Sequence, residues 1–427
     1  MITEKSVREE AFNEENLSNY VSLFSFPRLA GSEGEKKAVK LTKQEFNKIG
    51  FTDDQIILEP FEFSNFYSTT LIKLIAMINL IFLLMIIFFS YVQLIIAIFI
   101  LLGLLIIISL IIRGLQSPED PGFWGKYYGE TFTASNVIAK IPAKNKEKVG
   151  DLIFSAHLDS KSQSFRTRWR VVIYRIWLFS AIILGIFYII FIFQEFTGLI
   201  TEVWILEMGI WIPTLLISIS NLLLMNLNTH NQSPGALDNA SGMAIVFELS
   251  SFFVNNPLDN FNIWFCQYSA EELGTMGSRV FVKNHEENFK QRNIFQINFD
   301  MVSCKPHRWN QIEYLKSYGI FPRRKLAPLL GRYIDQAAEE LNIEVNGFHL
   351  TTGAHTDSVP FHQRNFDSID IVTRAASIYS HTKRDTPDKV DSKILKQACV
   401  ISQKVALNLD KDFHELCKTE KLKCDDK

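Results

Sequence analysis

The run from Leu74 to Ile112 contains no charged residue. A helix crossing about 30 Å of hydrocarbon needs about 20 apolar residues, so this run is long enough for two crossings joined by a turn, expected around Ser90 to Gln93. A second pair follows at Ile176–Phe193 and Val203–Met225, with Gln194, Glu195, Thr197, Gly198 and Thr201 as the turn between them. Core helices of soluble domains rarely stay apolar for so long. Lys73, Arg175 and Glu207 lie near span ends, where long side chains can reach the interface. No ionisable residue sits in mid-span, so the helices read as an anchor and not as the polar path of a transporter. Lys161, Arg166, Arg168, Arg170 and Arg175 precede the third span, whereas Glu195 and Glu202 separate the third from the fourth. The positive-inside rule then places the basic flank in the cytoplasm. Each hairpin returns to the side it left, so the rest of the sequence is expected on that side too. The opening MITEKSVREEAFNEEN has no apolar core and is not expected to be a cleavable signal.

With the hairpins (69–113 and 171–225) set aside, residues 1–68, 114–170 and 226–427 are expected to form one discontinuous domain. With 44 basic and 46 acidic residues the chain has no field that favours nucleic acid. Its five cysteines, Cys266, Cys304, Cys399, Cys417 and Cys424, include no CxxC pair, which points to no disulfide framework and fits a reducing compartment. Helix and strand signals alternate. Helices are expected at Ser32–Ile49, stopped by Gly50, and at Gly242–Phe253, Arg324–Leu341 and Ser392–Leu409. Strands are expected at Ile56–Phe66, Thr133–Ile141, Asp151–Ala156, Asn262–Tyr268, Ile294–Phe299 and Ile369–Thr373. That order implies an α/β fold around a mostly parallel, mixed sheet flanked by helices.

Three of these strands end in polar clusters: AHLD after Phe154, SAEELG after Tyr268 and DMVS after Phe299. In open α/β sheets the ligand site lies beyond the carboxyl ends of the strands. His157 and Asp159 form His-x-Asp, a pairing in which a carboxylate can orient a metal-bound imidazole. Asp238 sits in the turn SPGALDNASG before an apolar helix, where Asp238 or Asn239 could equally be a plain N-cap. Glu271 and Glu272 are adjacent carboxylates directly after an apolar strand, costly unless compensated. Asp300 ends a strand and His381 lies in YSHTKRDTPD; taken singly, such an Asp is usually a turn former and such a His more often faces solvent than binds a metal.

Taken in order, FSAHLDS, SPGALDNASG, SAEELGTMGS, NFDMVS and IYSHTKRDTPDKVD resemble the motifs of peptidase family M28, the co-catalytic zinc aminopeptidases, and RLAGSEGEKKAVKLTKQEFNKIGF resembles its opening helix. The resemblance covers nearly everything outside the hairpins. It implies the phosphorylase/hydrolase-like fold of these enzymes and two zinc ions. One would be held by His157, Asp238 and Asp300, the other by Asp238, Glu272 and His381. Glu271 would be the general base, Asp159 the partner of His157, and the Asp238–Asn239 peptide would be cis. The implied activity is hydrolysis at peptide N-termini by a water shared between the ions. The implied partners are peptides, with the bilayer engaged through four spans.

Two features depart from the family pattern. The second hairpin lengthens the connection between His157 and Asp238. In GAHTDSVPF, Ser358 stands where the family often has a histidine lining the substrate pocket, which leaves the side-chain preference open. Two alternatives remain beside the peptidase. A glutaminyl-cyclase-like acyltransferase has the same fold and uses one zinc, whereas here the Asp-Asn-Ala-Ser-Gly stretch and Asp300 are intact. A non-catalytic peptidase-like receptor typically loses its ligands, and this chain keeps all five candidates and the base.

Overall fold

The computed structural model describes residues 11–68, 70–114, 119, 122–145, 150–199, 203–319, 323–351 and 356–418. The chain forms two compact units. One comprises the sequence up to Phe63, Phe132–Ser162 and the sequence from His230 onward; the other comprises Ser64–Thr131 and Gln163–Thr229.

The first unit is built on a mixed sheet. Its strands are β1 (Ile56–Ser64), β2 (Thr131–Ile141), β3 (Gly150–His157), β4 (Phe261–Tyr268), β5 (Ile294–Phe299), β6 (Ile312–Tyr318), β7 (Arg324–Lys325), β8 (Val345–Leu350) and β9 (Asp367–Val372). They are ordered β1-β2-β4-β3-β5-β9-β6-β8, with β7 paired to β6. The centre is parallel: β4 with β3, β3 with β5, and β5 with β9. β2 runs antiparallel to β4, and β6 antiparallel to β9.

Alternate residues of a strand point to opposite faces, so a strand covered on both faces reads as a continuous apolar run. Leu152, Phe154 and Ala156 of β3 join Phe261, Ile263 and Phe265 of β4 in one core. Ile153, Trp264, Cys266 and Tyr268 join a second. The first core is closed by α1 (Glu14–Phe24), α2 (Glu33–Ile49), α7 (Ser241–Asn255), α9 (Pro328–Leu341) and α10 (Ser392–Lys418). The second receives Phe281, Val282 and Phe289 from α8 (Met276–Phe289). Ser32 caps α2 by accepting the Glu35 N–H, and Gly50 ends it in the left-handed region at φ 119°, where a residue without Cβ carries no penalty.

Two expectations need correction. The helix expected from Arg324 begins at Pro328. Proline favours the first turn of a helix and disfavours helical backbone just before it, and Arg324–Lys325 instead pair with β6. Cys417 is disulfide-bonded, against the expectation from cysteine spacing. Cys266, Cys304 and Cys399 are buried free thiols.

Among the described residues the second unit holds four helices long and apolar enough to cross a membrane: α3 (Thr70–Val92), α4 (Leu94–Gly114), α5 (Thr167–Thr197) and α6 (Val203–Met225). The first pair breaks at Gln93, inside the expected turn. At 1.5 Å per residue α5 is about 46 Å long, so the end bearing Arg168, Arg170 and Arg175 can extend past an apolar layer of about 30 Å. Polar contacts tie the hairpins together: Asn221 Nδ2 donates to Asn79 Oδ1 at 2.7 Å, and the Ser90 and Tyr188 hydroxyls lie 2.7 Å apart. Outward residues such as Phe99 and Ile189 are apolar and exposed, which suits a lipid environment.

Candidate metal centre

Parallel β4, β3 and β5 are neighbours, so their carboxyl ends lie side by side. His157 closes β3, Glu271 and Glu272 follow β4 after a short turn, and Asp300 follows β5 directly. Asp238 comes from the turn before α7 and His381 from the long loop after β9. All six are buried.

His157 Nε2 lies 3.2 Å from Asp238 Oδ1 and 3.6 Å from Asp300 Oδ1. His381 Nε2 lies 3.2 Å from Asp238 Oδ2 and 3.0 Å from Glu272 Oε2. Asp238 thus turns one oxygen to each histidine. Two donor groups result, His157–Asp238–Asp300 and Asp238–Glu272–His381, each with its atoms within 4.8 Å of one another. His157 Nε2, Glu272 Oε1 and Asp300 Oδ1 are buried without a hydrogen-bond partner. Buried polar atoms are normally satisfied, so these orphans, with at least one in each donor group, fit ions as the missing partners.

The backbone shapes this cluster. The Asp238–Asn239 peptide is cis. Gly235, at φ 66°, precedes it where a Cβ would lie 2.6 Å from both Asp238 O and Ser160 Cβ. The plainer role weighed for this turn falls to Asn239, whose Oδ1 accepts the Gly242 N–H at 3.0 Å at the start of α7. Its Nδ2 donates to Phe299 O at 2.7 Å, linking the turn to β5. Ala270, Met301 and His381 adopt positive φ, sparsely populated for residues other than glycine. Each is a site residue or adjoins one.

Asp159 does more than face His157. Its carboxylate accepts the N–H groups of Glu271 at 3.1 Å and Glu272 at 3.2 Å, while lying 3.5 Å from His157 Nδ1. His157 Nδ1 is also 3.2 Å from the Asp159 carbonyl. One carboxylate therefore fixes the turn that carries the adjacent glutamates.

Several contributors escaped the sequence reading although they lie in stretches it singled out. Asp385, four residues past His381, accepts the N–H groups of Leu237 at 2.6 Å and Asp238 at 3.1 Å. Arg28, wholly buried, donates to the carbonyls of Phe24, Leu158, Pro234 and Gly235. It thereby ties the N-terminal segment to the turns bearing Asp159 and Asp238. Lys161 donates to Glu272 O at 2.7 Å and lies 2.8 Å from Glu272 Oε2. It had been counted in the basic flank of the third span; its burial removes it from that flank. The Ser358 hydroxyl donates to buried Asp370 Oδ2 at 2.6 Å, alongside Thr356 at 3.0 Å, so it anchors its loop to β9. His355 lies outside the described residues.

Burial and crowded charge set the electrostatics. Burial pushes the Glu271 carboxyl well above its usual range, opposed by His157 and reinforced by Glu272 and Asp300. Burial lowers His157, but Glu271, Asp159, Asp238 and Asp300 outweigh it and raise the imidazole well above its usual value. Glu272 falls to about 2: burial raises it, as does Asp238, but His381 and Lys161 prevail. Burial lifts Asp357 and Asp385 each to about 7.

Residues 224–405 match the sequence model of Peptidase family M28. The chain carries a peptidase family M28 domain. The matched stretch includes Asp238, Glu271, Glu272, Asp300 and His381, and leaves His157 and Asp159 outside it. Aminopeptidase YwaD of Bacillus subtilis (strain 168) is 29% identical over 171 residues, 39% of this chain and 36% of that protein. The chain therefore matches little more than a third of the length of this curated relative. Among solved structures, BSAP, a zinc aminopeptidase from Bacillus subtilis, aligns with a TM-score of 0.54 at 14% identity, covering 93% of this chain and 95% of its own. A glutaminyl cyclase from an Acidobacteriales bacterium aligns with a TM-score of 0.52 at 14% identity, covering 94% and 95%. The M28 domain thus has the fold of the zinc aminopeptidases, a fold that the cyclase shares.

Proposed function

We propose that this chain is a membrane-bound di-zinc metallopeptidase that removes N-terminal residues from peptides. The reading is carried by the two donor groups that share Asp238. His157, Asp238 and Asp300 would hold one ion; Asp238, Glu272 and His381 would hold the other. Imidazole nitrogen and carboxylate oxygen suit zinc, and three protein ligands per ion is the pattern of catalytic sites. When bound, such a pair supplies an acidified water and polarises a carbonyl.

The remaining chemistry falls to the chain's own groups. Glu271 is buried with its Oε2 3.9 Å from His157 Nε2, a position that suits a carboxylate that takes a proton from the attacking water and returns it to the leaving amine nitrogen. Asp159 holds the Glu271 and Glu272 N–H groups, so the base and its neighbour keep a fixed relation. The Bacillus relative and BSAP are both aminopeptidases, which supports cleavage at the N-terminus. A single ion would use one donor group only, whereas each group holds a buried donor atom without a partner, which favours two ions.

The anchor is the set of four apolar helices, with the peptidase unit on the cytoplasmic side. Arg166, Arg168, Arg170 and Arg175 before the third span support that orientation.

The test uses full-length protein in detergent and a mixed peptide library, with and without chelator. Loss of N-terminal residues, abolished by chelator and restored by zinc, is expected, and Glu271→Gln should bind zinc without cleaving. Turnover by Glu271→Gln, or a cyclised N-terminal glutamine as the only product, would overturn the reading. Digestion of the peptidase unit by protease outside sealed right-side-out vesicles would refute the orientation.

A further inference from the structure

The two donor groups differ in one respect that ligand identity alone does not reveal. Lys161 is buried beside only one of them. Its ammonium donates to the Glu272 carbonyl at 2.7 Å and lies 2.8 Å from Glu272 Oε2, the oxygen that also faces His381 Nε2 at 3.0 Å. Among the described residues no lysine or arginine pairs with His157, Asp238 or Asp300. Arg28 is nearby, but its hydrogen bonds run to backbone carbonyls.

A metal ligand that already neutralises an ammonium is a weaker donor, and the ammonium repels a divalent ion bound to the same carboxylate. In a buried site such repulsion is screened far less than in water. We propose that Lys161 makes the two metal positions unequal, so that the ion held by Asp238, Glu272 and His381 binds more weakly than the ion held by His157, Asp238 and Asp300. The inference rests on the two-ion reading above. Glu272 Oε1, buried and unpartnered, remains free for the ion, so the lysine weakens this position without abolishing it. At limiting zinc the chain would then hold one ion, at His157, Asp238 and Asp300, and lack the second.

The experiment titrates chelator-stripped, full-length protein in detergent with zinc, in competition with a chromophoric chelator. Wild type should show two dissociation constants, and His381→Ala should lose the weaker. Lys161→Gln keeps a donor for the Glu272 carbonyl and removes the charge. It should tighten the weaker constant about tenfold, or about 1.4 kcal/mol, and leave the tighter one unchanged. Lys161→Arg, which keeps the charge, should bind as wild type does. Lys161→Met removes charge and donor together and should shift the weaker constant in the same direction as Lys161→Gln; it serves as the test if the glutamine variant does not fold. A weaker constant that is unchanged or looser in the uncharged variants would overturn the proposal and leave the lysine a structural group. A single zinc site in wild type would instead refute the two-ion reading, and this inference with it.

Discussion

Asp385 touches no proposed metal position, yet its replacement should disturb both. Its two carboxylate oxygens separately accept the N–H groups of Leu237 and Asp238. These are the residues that place the proposed bridging carboxylate. Asp385→Asn is nearly isosteric, but its amide has one acceptor oxygen. One N–H keeps its partner, and the other faces an NH2 group. A buried donor left unpaired costs about 1–3 kcal/mol, and a lost hydrogen bond to a charged group about 1.5–3 kcal/mol. Part is offset, because burial already lifts this carboxyl to about 7 and the asparagine is relieved of that desolvation. A net loss of about 2 kcal/mol is therefore expected. Residues that orient metal ligands typically contribute 10- to 100-fold in metal affinity, about 1.4–2.7 kcal/mol. Because Asp238 faces both histidines, both zinc constants should weaken, unlike the one-sided effect of changing Lys161. Thermal unfolding of the stripped variant reads the first quantity and zinc competition the second. Both zinc constants within twofold of wild type would show that the Asp238 turn is held by something other than Asp385, and would refute this account of the bridge.

Two further outcomes follow from the site's packing and charge. Stripped of metal, the protein should lose stability as pH rises from about 4.5 to about 7. Glu35, Asp357 and Asp385 have folded values near 7, above their unfolded ones, so the folded state binds more protons across that window and the slope of stability against pH is negative. Zinc should flatten the slope, and a stripped protein that grows more stable over the window would contradict it. Gly235→Ala should lower zinc binding and unfolding temperature together, since its Cβ would lie 2.6 Å from Asp238 O at a positive φ; a variant equal to wild type in both would show that the turn can relax.

Much of the centre was legible because an apolar strand that stops at a histidine or carboxylate is a visible event. His157 closes β3 and Asp300 follows β5, as the runs ending at Ala156 and Phe299 imply. The apolar spans were legible for a similar reason, since no other segment stays uncharged for so long. Strands β6 and β8, with sequences IEYLKSY and VNGFHL, were missed. Both mix polar and apolar residues, so neither shows the apolar run of the central strands in its sequence, although Ile312–Leu315 of β6 are buried. Arg28 and Asp385 were missed for another reason. Their partners are backbone carbonyls and N–H groups, which every residue carries, so nothing in the sequence marks which will need a charged side chain.

These missed residues explain how the site tolerates its own charge. Asp238, Glu271, Glu272 and Asp300 crowd a buried space, with Asp159 and Asp385 behind them. Burial, reinforced by the neighbouring carboxylates, raises the Glu271 and Asp300 carboxyls, and the same carboxylates raise the His157 imidazole against its burial. The fold does not answer with paired cations: among the described residues, Lys161 is the one lysine or arginine in ion-pair contact with any of these carboxylates. It answers with backbone. Asp159 is held by two N–H groups and Asp385 by two more, while Arg28 spends its charge on carbonyls. Backbone dipoles fix the position of a carboxylate without occupying the space in front of it. The negative charge facing that space is left for an ion to neutralise, so metal binding and stability of this domain should rise and fall together.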